Sequence, residues 1–567
     1  MTIVRRPITA TPRALLDAGV PLVFARIYAA RGVVDAAELD HSLAALPPFG
    51  TLAGIDAAAE RLVQAVQRRE RIVIVADYDA DGATGCAVGV RGLRTLGADV
   101  DFIVPNRFEF GYGLTPEIVA VAAAMRPGLL VTVDNGIASV EGVAAAAAAG
   151  IDVLITDHHL AGPVLPAPAI IVNPNQPGCA FPSKHIAGVG VMFYVLCAVR
   201  ARLRERGAFA GRDAPNLASL LDLVALGTVA DVVRLDHVNR ILVEQGLARI
   251  RAGRAQPGVA ALFAVAGRDL RRASASDLGF VAGPRLNAAG RLADMSLGIR
   301  CLLAESEREA QPMARELDRL NRERRDIEVA MHDEALAEVE AAVAPSDADA
   351  FTLCVHRPEW HPGVIGIVAS RLKDRYHRPA IVFARSGEHE LKGSGRSIGG
   401  LHLRDALDLV SKRAPGTIIR FGGHAFAAGL SIPGDALPRF AAAFESVARE
   451  ALSDAQLKRT HESDGVLDPG ELTLELGEAL RECVWGQGFP APAFDDTFDV
   501  VAQRAVGDGH AKIVLARGDE RFAAIAFRTP LPMPPRIRAL YRPEVNHWTG
   551  TPTLELVIDY WAAADSA

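Results

Sequence analysis

The sequence predicts an α/β protein. A first domain is built on a parallel sheet, a long helix leads to a second α/β domain, and a small β-barrel closes the chain. Three observations carry this prediction. Short β-branched runs alternate with helix-like segments between residues 54 and 173, as in parallel sheets covered on both faces. A highly charged stretch over 305–344 holds helix formers throughout and no glycine. From about residue 460 onward, short apolar runs alternate with turn residues.

A chain of 567 residues is too long for one core, so three or four domains are expected. Hydrophobic residues make up 50%, which restricts expected disorder to ends and linkers. The six cysteines stand singly, with no C-x-x-C pair. That usage argues against a disulfide framework or a cysteine-rich zinc site and fits a reducing cytoplasm. The N-terminus has no long apolar segment of the signal-peptide kind, and no run of about 18 apolar residues predicts a membrane span. The net charge of -7 argues against a broad basic face that coats duplex DNA. It leaves room for a local basic groove, and a metal site made of acids would itself lower the total.

The elements follow in order. Residues 1–50 read as a helical preamble ending in LAALPPFG. Residues 51–304 form the first domain. Its strands are RIVIV (71–75), VDFIV (100–104), LLVTV (129–133), DVLIT (152–156) and AIIVN (169–173), with helices over 54–69, 84–97, 115–125 and 139–149. An alanine-rich stretch near 142–151 reads as a helix packed on the sheet, and 187–275 is mainly helical and rich in arginine. The connecting helix occupies 305–345, with Pro312 near its start, until APSDAD (344–349) breaks the pattern. The second α/β domain spans 346–455 and opens on FTLCV at 351. Residues 460–567, with TFDVVAQ, AKIVLAR, RFAAIAF and TLELVIDYW, suggest an OB-like nucleic-acid-binding barrel.

In parallel sheets the ligand site lies beyond the carboxyl ends of the strands. Three of the strand runs end there in polar clusters: DYDADG (77–82), DNG (134–136) and DHH (157–159). Carboxylates at every second position are costly unless cations neutralise them or a proton is taken up. Carboxylate oxygens with a few imidazoles suit Mg²⁺ or Mn²⁺. Two such ions about 3.5–4 Å apart can clamp a phosphate and activate a water, and Asp134 in the middle cluster is placed to bridge them. Each motif alone is weak. D-x-D-x-D-G resembles the start of a calcium loop, although the apolar strand before it and the missing bidentate Glu speak against that. VDNG alone is a turn, and DHH alone is a helix cap with surface histidines. Together, at successive strand ends, they point to a two-metal phosphoesterase site of which DYDADG is one half, completed by carboxylates and histidines from the neighbouring strand ends.

The trio DYDADG, VDNGI and TDHH resembles the DHH phosphoesterase superfamily, with VADVVRL (229–235) resembling its fourth motif. GGHAFAAG (422–429) resembles the signature of the accessory DHHA1 domain. PNRFEFGYGL (105–114), GPRLNAAGR (283–291), EWHPGVIGIVASRL (359–372), GSGRSI (393–398) and VWGQGFP (484–490) narrow the resemblance to the RecJ family of single-stranded-DNA-specific exonucleases. The likeness runs from about residue 45 to the C-terminus. One departure is Arg234, where the family often carries proline.

The resemblance implies metal-dependent hydrolysis of single-stranded DNA from the 5′ end, releasing mononucleotides and using two Mn²⁺ or Mg²⁺ ions. It implies that Asp79 and Asp134 hold one ion and that Asp81, Asp134, His158 and Asp231 hold the other. Asp77 is a further ligand or an acid behind the ligands, His159 contacts the scissile phosphate, and Asp157 orients a histidine. Arg107, Arg285, Ser394, Arg396 and His424 are expected to grip phosphates. Asn287 and Arg291 do likewise or brace the loop. Trp360 and Trp485 stack bases or sit in a core, and His361 is structural or lies beside a phosphate. The two α/β domains are expected to flank a groove. Arg504, Lys512 and Arg517 of the barrel would guide the strand toward it. Resemblance also implies a single-strand-binding protein and a RecQ-type helicase as partners, in recombinational and mismatch repair. Two rivals are another phosphoesterase of the superfamily, which the long chain and extra β-domain disfavour, and an inactive single-strand-binding scaffold, which has no need of costly carboxylates.

Overall fold

The computed structural model describes residues 2–8, 12–105, 113–342, 350–387, 389–507, 509–547 and 550–564. Two compact units are present: Ile3–Asp318 with Glu462–Ala567, and Arg319–His461.

The first unit contains a five-stranded sheet with β1 Arg71–Ala76, β2 Asp99–Ile103, β3 Leu129–Val133, β4 Asp152–Thr156 and β5 Ile170–Val172. The order is β2-β1-β3-β4-β5, and every pairing is parallel. β1 and β3 are almost wholly buried, because the connecting helices cover both faces and leave no strand face for water. The register decides the chemistry. Ala76 pairs with Val133, Val133 with Thr156, and Thr156 with Val172. The residue following β1, β3 and β4 is Asp77, Asp134 and Asp157 in turn. Their amides continue the ladder, donating to the carbonyls of Val133 (3.2 Å), Thr156 (3.0 Å) and Val172 (3.2 Å). Three acids therefore leave one sheet edge at one level.

The helix after β1 spans Ala80–Thr95 and begins four residues earlier than the predicted 84. Asp79 causes this. Its Oδ1 accepts from the amides of Asp81 (2.9 Å) and Gly82 (3.1 Å), so it caps the helix and pulls the acidic motif into the first turn. Helices Gly188–Glu205, Leu221–Ala230 and Gly283–Leu292 complete the layer around the strand ends.

The barrel of the same unit closes from β11 Phe494–Val506, β12 His510–Arg517, β13 Glu520–Ala526, β14 Arg536–Asn546 and β15 Thr553–Ala563. Its core includes Phe498, Ile513, Leu515, Ile537, Tyr541 and Leu556, joined by Val23 and Ile27 from the N-terminal helix Leu22–Ala29. That helix thus belongs to the barrel's packing. Arg31 beyond it pairs with Asp464 at 2.8 Å, and Arg6 pairs with Asp464 at 3.2 Å.

The second unit has a mixed sheet of β6 Leu353–His356, β7 Ala380–Arg385, β8 Glu390–Arg396, β9 Arg420–Gly423 and β10 Ala427–Pro433, ordered β9-β10-β8-β7-β6. Only β6 and β7 pair in parallel. One helix of 36 residues, Glu307–Ala342, spans the predicted connecting segment with Pro312 in its second turn. Among the described residues no helix is long and apolar enough to cross a membrane.

Candidate metal centre

Asp77, Asp79, Asp81, Asp134, His158, His159 and Asp231 converge beyond the strand ends. Ligand atoms of Asp77, Asp79 and Asp134 lie within 4.8 Å of one another, as do those of Asp81, His158 and Asp231, and those of Asp134, His158 and His159. His158 ties the groups together. Its Nε2 is 3.0 Å from Asp134 Oδ1, 3.5 Å from Asp231 Oδ2 and 3.8 Å from Asp81 Oδ2.

Backbone geometry holds these groups in place. Asp81 accepts from the amides of Gly188 (2.6 Å) and Val189 (2.8 Å) at the start of helix Gly188–Glu205. Helix N-termini suit an anion there. Asp134 has φ 62°, a left-handed conformation that non-glycine residues seldom adopt. Val232, one residue past Asp231, also has φ 62°. Two close approaches need glycine. A Cβ at Gly82 would lie 2.6 Å from the Asp77 carbonyl oxygen, and one at Gly188 would lie 2.7 Å from Asp134 Cβ. Asp157 braces the histidine pair. Its Oδ1 accepts from the amides of His158 (2.7 Å) and His159 (3.0 Å) and meets His159 Nδ1 at 2.8 Å, while Oδ2 accepts from the Ile137 amide at 2.9 Å. Asn287 Oδ1 accepts from the Ala80 amide at 2.8 Å, so this residue braces the DYDADG turn.

The electrostatics follow from burial and crowding. Burial first, then the neighbouring Asp79, holds Asp77 well above the ordinary carboxylate range. Burial and Asp79 push Asp81 up to about 7. Asp134 and Asp231 are also held well above it by burial, with Asp81 the next cause for both. Asp157 goes the other way. Burial pushes it up, but the hydrogen bond and charge of His159 outweigh that and leave it below the ordinary value. Burial would lower His159, yet Asp157 prevails and raises it to about 9. A cluster of acids that resists ionising, with donor atoms already converged, fits divalent cations of the Mg²⁺ or Mn²⁺ class.

The other sequence-selected residues have different local settings. Arg107 lies outside the described residues. Arg285 is buried, with Nη2 2.8 Å from Asp318 and Nη1 donating to the Val281 carbonyl at 2.7 Å; its fork is engaged inside the protein. Ser394 and Arg396 sit on β8 of the second unit, where Arg396 Nη1 donates to Ser394 Oγ at 3.2 Å. The register sets Arg396 opposite Ala427, whose carbonyl accepts from the His424 amide at 2.8 Å. Those three therefore share one end of the sheet.

Further residues singled out in the sequence have partners inside their own unit. Trp360 is buried and its Nε1 donates to Glu334 at 2.7 Å. Trp485 stacks on Phe489 with ring centroids 5.4 Å apart and donates to the Leu480 carbonyl. Arg517 pairs with Asp496 and Glu520, each at 2.9 Å, so it is tied within the barrel. Arg504 is exposed opposite Lys512, and Lys512 lies 3.6 Å from Glu555. His361 Nδ1 accepts from the Gly363 amide at 3.1 Å. Sequence reasoning missed the Gly188 and Val189 amides. The only local hint was a glycine-rich start to an apolar helix.

Comparison with known proteins draws these pieces together. The DHH family N-terminal domain matches residues 71–228, the DHHA1 domain 348–450 and the RecJ OB domain 463–560. The single-stranded-DNA-specific exonuclease RecJ of Escherichia coli (strain K12) is 48% identical over 555 residues, 96% of each chain. This chain belongs to the RecJ family. The crystal structure of RecJ from Thermus thermophilus in complex with Mn²⁺ is similar to it at a TM-score of 0.82 and 32% identity, covering 100% of this chain and 80% of that one. The Mg²⁺ complex of RecJ from the same organism matches at 0.76 and 30% identity, covering 100% of this chain and 78% of that one.

Proposed function

We propose that this RecJ-family protein is a metal-dependent exonuclease that removes mononucleotides from the 5′ end of single-stranded DNA. The convergence of His158 Nε2 on Asp134, Asp231 and Asp81 within 3.8 Å carries the reading, because it gathers the ligand set of one ion, of which Asp134 also belongs to the neighbouring group with Asp77 and Asp79. Asp79 and Asp134, with Asp77 beside them, would hold one ion, and Asp81, Asp134, His158 and Asp231 the other. Bound Mn²⁺ or Mg²⁺ would supply charge on the phosphoryl oxygens and a water of lowered pKa.

The chain's own groups do the rest. Asp157 holds His159 Nδ1 at 2.8 Å and raises the imidazole to about 9, which favours the protonated form that would donate an N–H to a phosphate oxygen. Asp134 is held in its strained backbone conformation, with its position set by the strand end behind it. Ser394, Arg396 and His424 offer donors for a phosphate, and among the described residues the hydrogen bonds of Arg396 go to Ser394 Oγ and the Gly395 carbonyl. The family resemblance extends the reading to a cytoplasmic role in recombinational and mismatch repair, beside a single-strand-binding protein and a RecQ-type helicase.

The test uses end-labelled single-stranded DNA with Mn²⁺, then with EDTA. Mononucleotide release from a 3′-labelled strand, progressing from the 5′ end and abolished by EDTA, is expected. Release that survives EDTA, or that starts from the 3′ end, overturns the proposal.

A further inference from the structure

A second site lies beside the metal centre, within the first unit. The stretch following Asp231 runs over Arg234 and Leu235 to Asp236, the cap of helix His237–Arg251. The VWGQGFP turn before the barrel docks on it. The Leu235 amide donates to the Gln487 carbonyl at 2.8 Å, and a Cβ at Gly488 would collide with Arg234 Cγ. Between them opens a cavity of about 310 Å³, in the size range of ligand pockets. Neither this turn nor Arg234 has a part in the metal centre.

The cavity's charges set its ligand. Arg31 is neutralised by Asp464 at 2.8 Å. Arg240 is 4% exposed, and its guanidinium lies 4.3 Å from the Phe489 ring centroid. Its Nη1 and Nη2 reach only carbonyls, those of Leu235 (3.1 Å) and Glu38 (3.2 Å), while Nε has no partner among the described residues. A buried guanidinium with an idle donor and no carboxylate in contact is costly unless an anion completes it. Lys184 spends two donors on the carbonyls of Pro174 and Cys179, each at 2.8 Å, and keeps the third. Arg234 is exposed and makes no ion pair with a described residue. His185 and His237 also line the space. Two acids face it, and both are occupied: Asp236 accepts from Ser183 Oγ (2.6 Å) and the Asn239 amide, and Glu38 accepts from the Val34 amide (3.0 Å). Setting aside the Arg31 pair, the three cations Lys184, Arg234 and Arg240 exceed the two acids by one. That balance suits one phosphodiester.

We propose that this cavity binds a nucleotide phosphate, that of the bound strand on its way between the metal centre and the barrel. The inference rests on the exonuclease reading for the identity of the strand. Arg234 is three residues from Asp231, so their Cα atoms are no more than about 11 Å apart, and a strand engaged at the metals passes close by. The same chemistry would also accept a released nucleoside monophosphate.

The test is equilibrium binding of oligothymidylates of increasing length to the full chain in EDTA, with Arg234→Ala, Lys184→Ala and the double variant. Both residues are exposed, so folding should survive, and circular dichroism checks it. Each single variant should weaken long-strand binding about 5–10-fold, and the slope of log affinity against log salt should drop by about 0.7 per cation removed. The loss should grow with strand length. A parallel calorimetric titration with dTMP separates the sources: dTMP binding lost in the variants places the released nucleotide in the cavity, and loss confined to long strands places the strand there. Unchanged affinity and salt slope in the double variant, with no dTMP binding to the wild type, overturns the site. Wild-type protein that binds strands but never cleaves them would instead defeat the exonuclease reading and leave this result standing.

Discussion

Gly188→Ala is the sharpest probe of how the metal centre is built. The added methyl carbon would lie 2.7 Å from Asp134 Cβ, 2.8 Å from Asp134 Oδ1 and 3.0 Å from Asp134 Cα. Non-bonded carbons rest at about 3.5–4.0 Å, so something must yield by about 1 Å. The helix cannot retreat freely, because the Gly188 amide holds Asp81 at 2.6 Å. The Asp134 backbone cannot rotate away either, since its φ of 62° is set by the strand end and its amide is bonded to Thr156. The carboxylate of Asp134 must therefore shift, and Asp81 with it. Overpacking of this kind costs about 1–3 kcal/mol of stability, and a displacement of about 1 Å in a reacting group can cost about 10²-fold in rate. We expect a folded protein with about 100-fold slower Mn²⁺-dependent hydrolysis and a weakened thermal response to Mn²⁺. Gly89→Ala is the control. Its methyl would meet the flexible ends of Ile74 (2.8 Å) and Met192 (3.2 Å), so it should lower stability and leave the rate nearly intact. Near-wild-type hydrolysis by Gly188→Ala would refute the claim that this close approach positions Asp134.

Other outcomes follow from the same geometry. Asp81 titrates at about 7 against an ordinary 3.8, so the metal-free fold holds a proton there that the unfolded chain has released. The Asp81 contribution to metal-free stability should thus be complete below about pH 4 and be lost as pH rises through about 7, while Mn²⁺ reverses the trend; melting curves from about pH 5 to 8 in EDTA and in Mn²⁺ check both, and a flat EDTA profile counts against it. Asp134→Asn should raise the melting temperature of the metal-free protein and abolish both the Mn²⁺ gain and hydrolysis; turnover near wild type would sink the bridging role. Asp157→Asn should lower His159 from about 9 toward its ordinary 6.5, an effect that NMR titration reads directly, and the stability of that pair, complete between about 4 and 6.5, is lost as pH rises through about 9 and again as Asp157 takes up a proton in acid. Trp360→Phe should cost about 1–2 kcal/mol in denaturant melts through its lost bond to Glu334, with single-strand affinity unchanged.

The parallel sheet, the long helix, the barrel and the acidic cluster were all legible from local pattern. The signals were near-continuous apolar strands, an unbroken charged helix, alternating runs, and acids placed one residue beyond strand ends. Because β1, β3 and β4 pair in parallel with aligned ends, three sequence-local motifs become one site, and short-range spacing sufficed to see it. Partners drawn from far along the chain became visible only once it was folded. Arg285 reads as a phosphate ligand in GPRLN, and its partner Asp318, 2.8 Å away, is not legible there. Helix Leu22–Ala29 reads as preamble, yet its apolar face completes a core whose other residues lie more than 400 positions later. Asp81 draws its hydrogen bonds from amides more than 100 residues downstream. The side-chain pattern of a segment records which face is buried, and it holds no record of what covers that face.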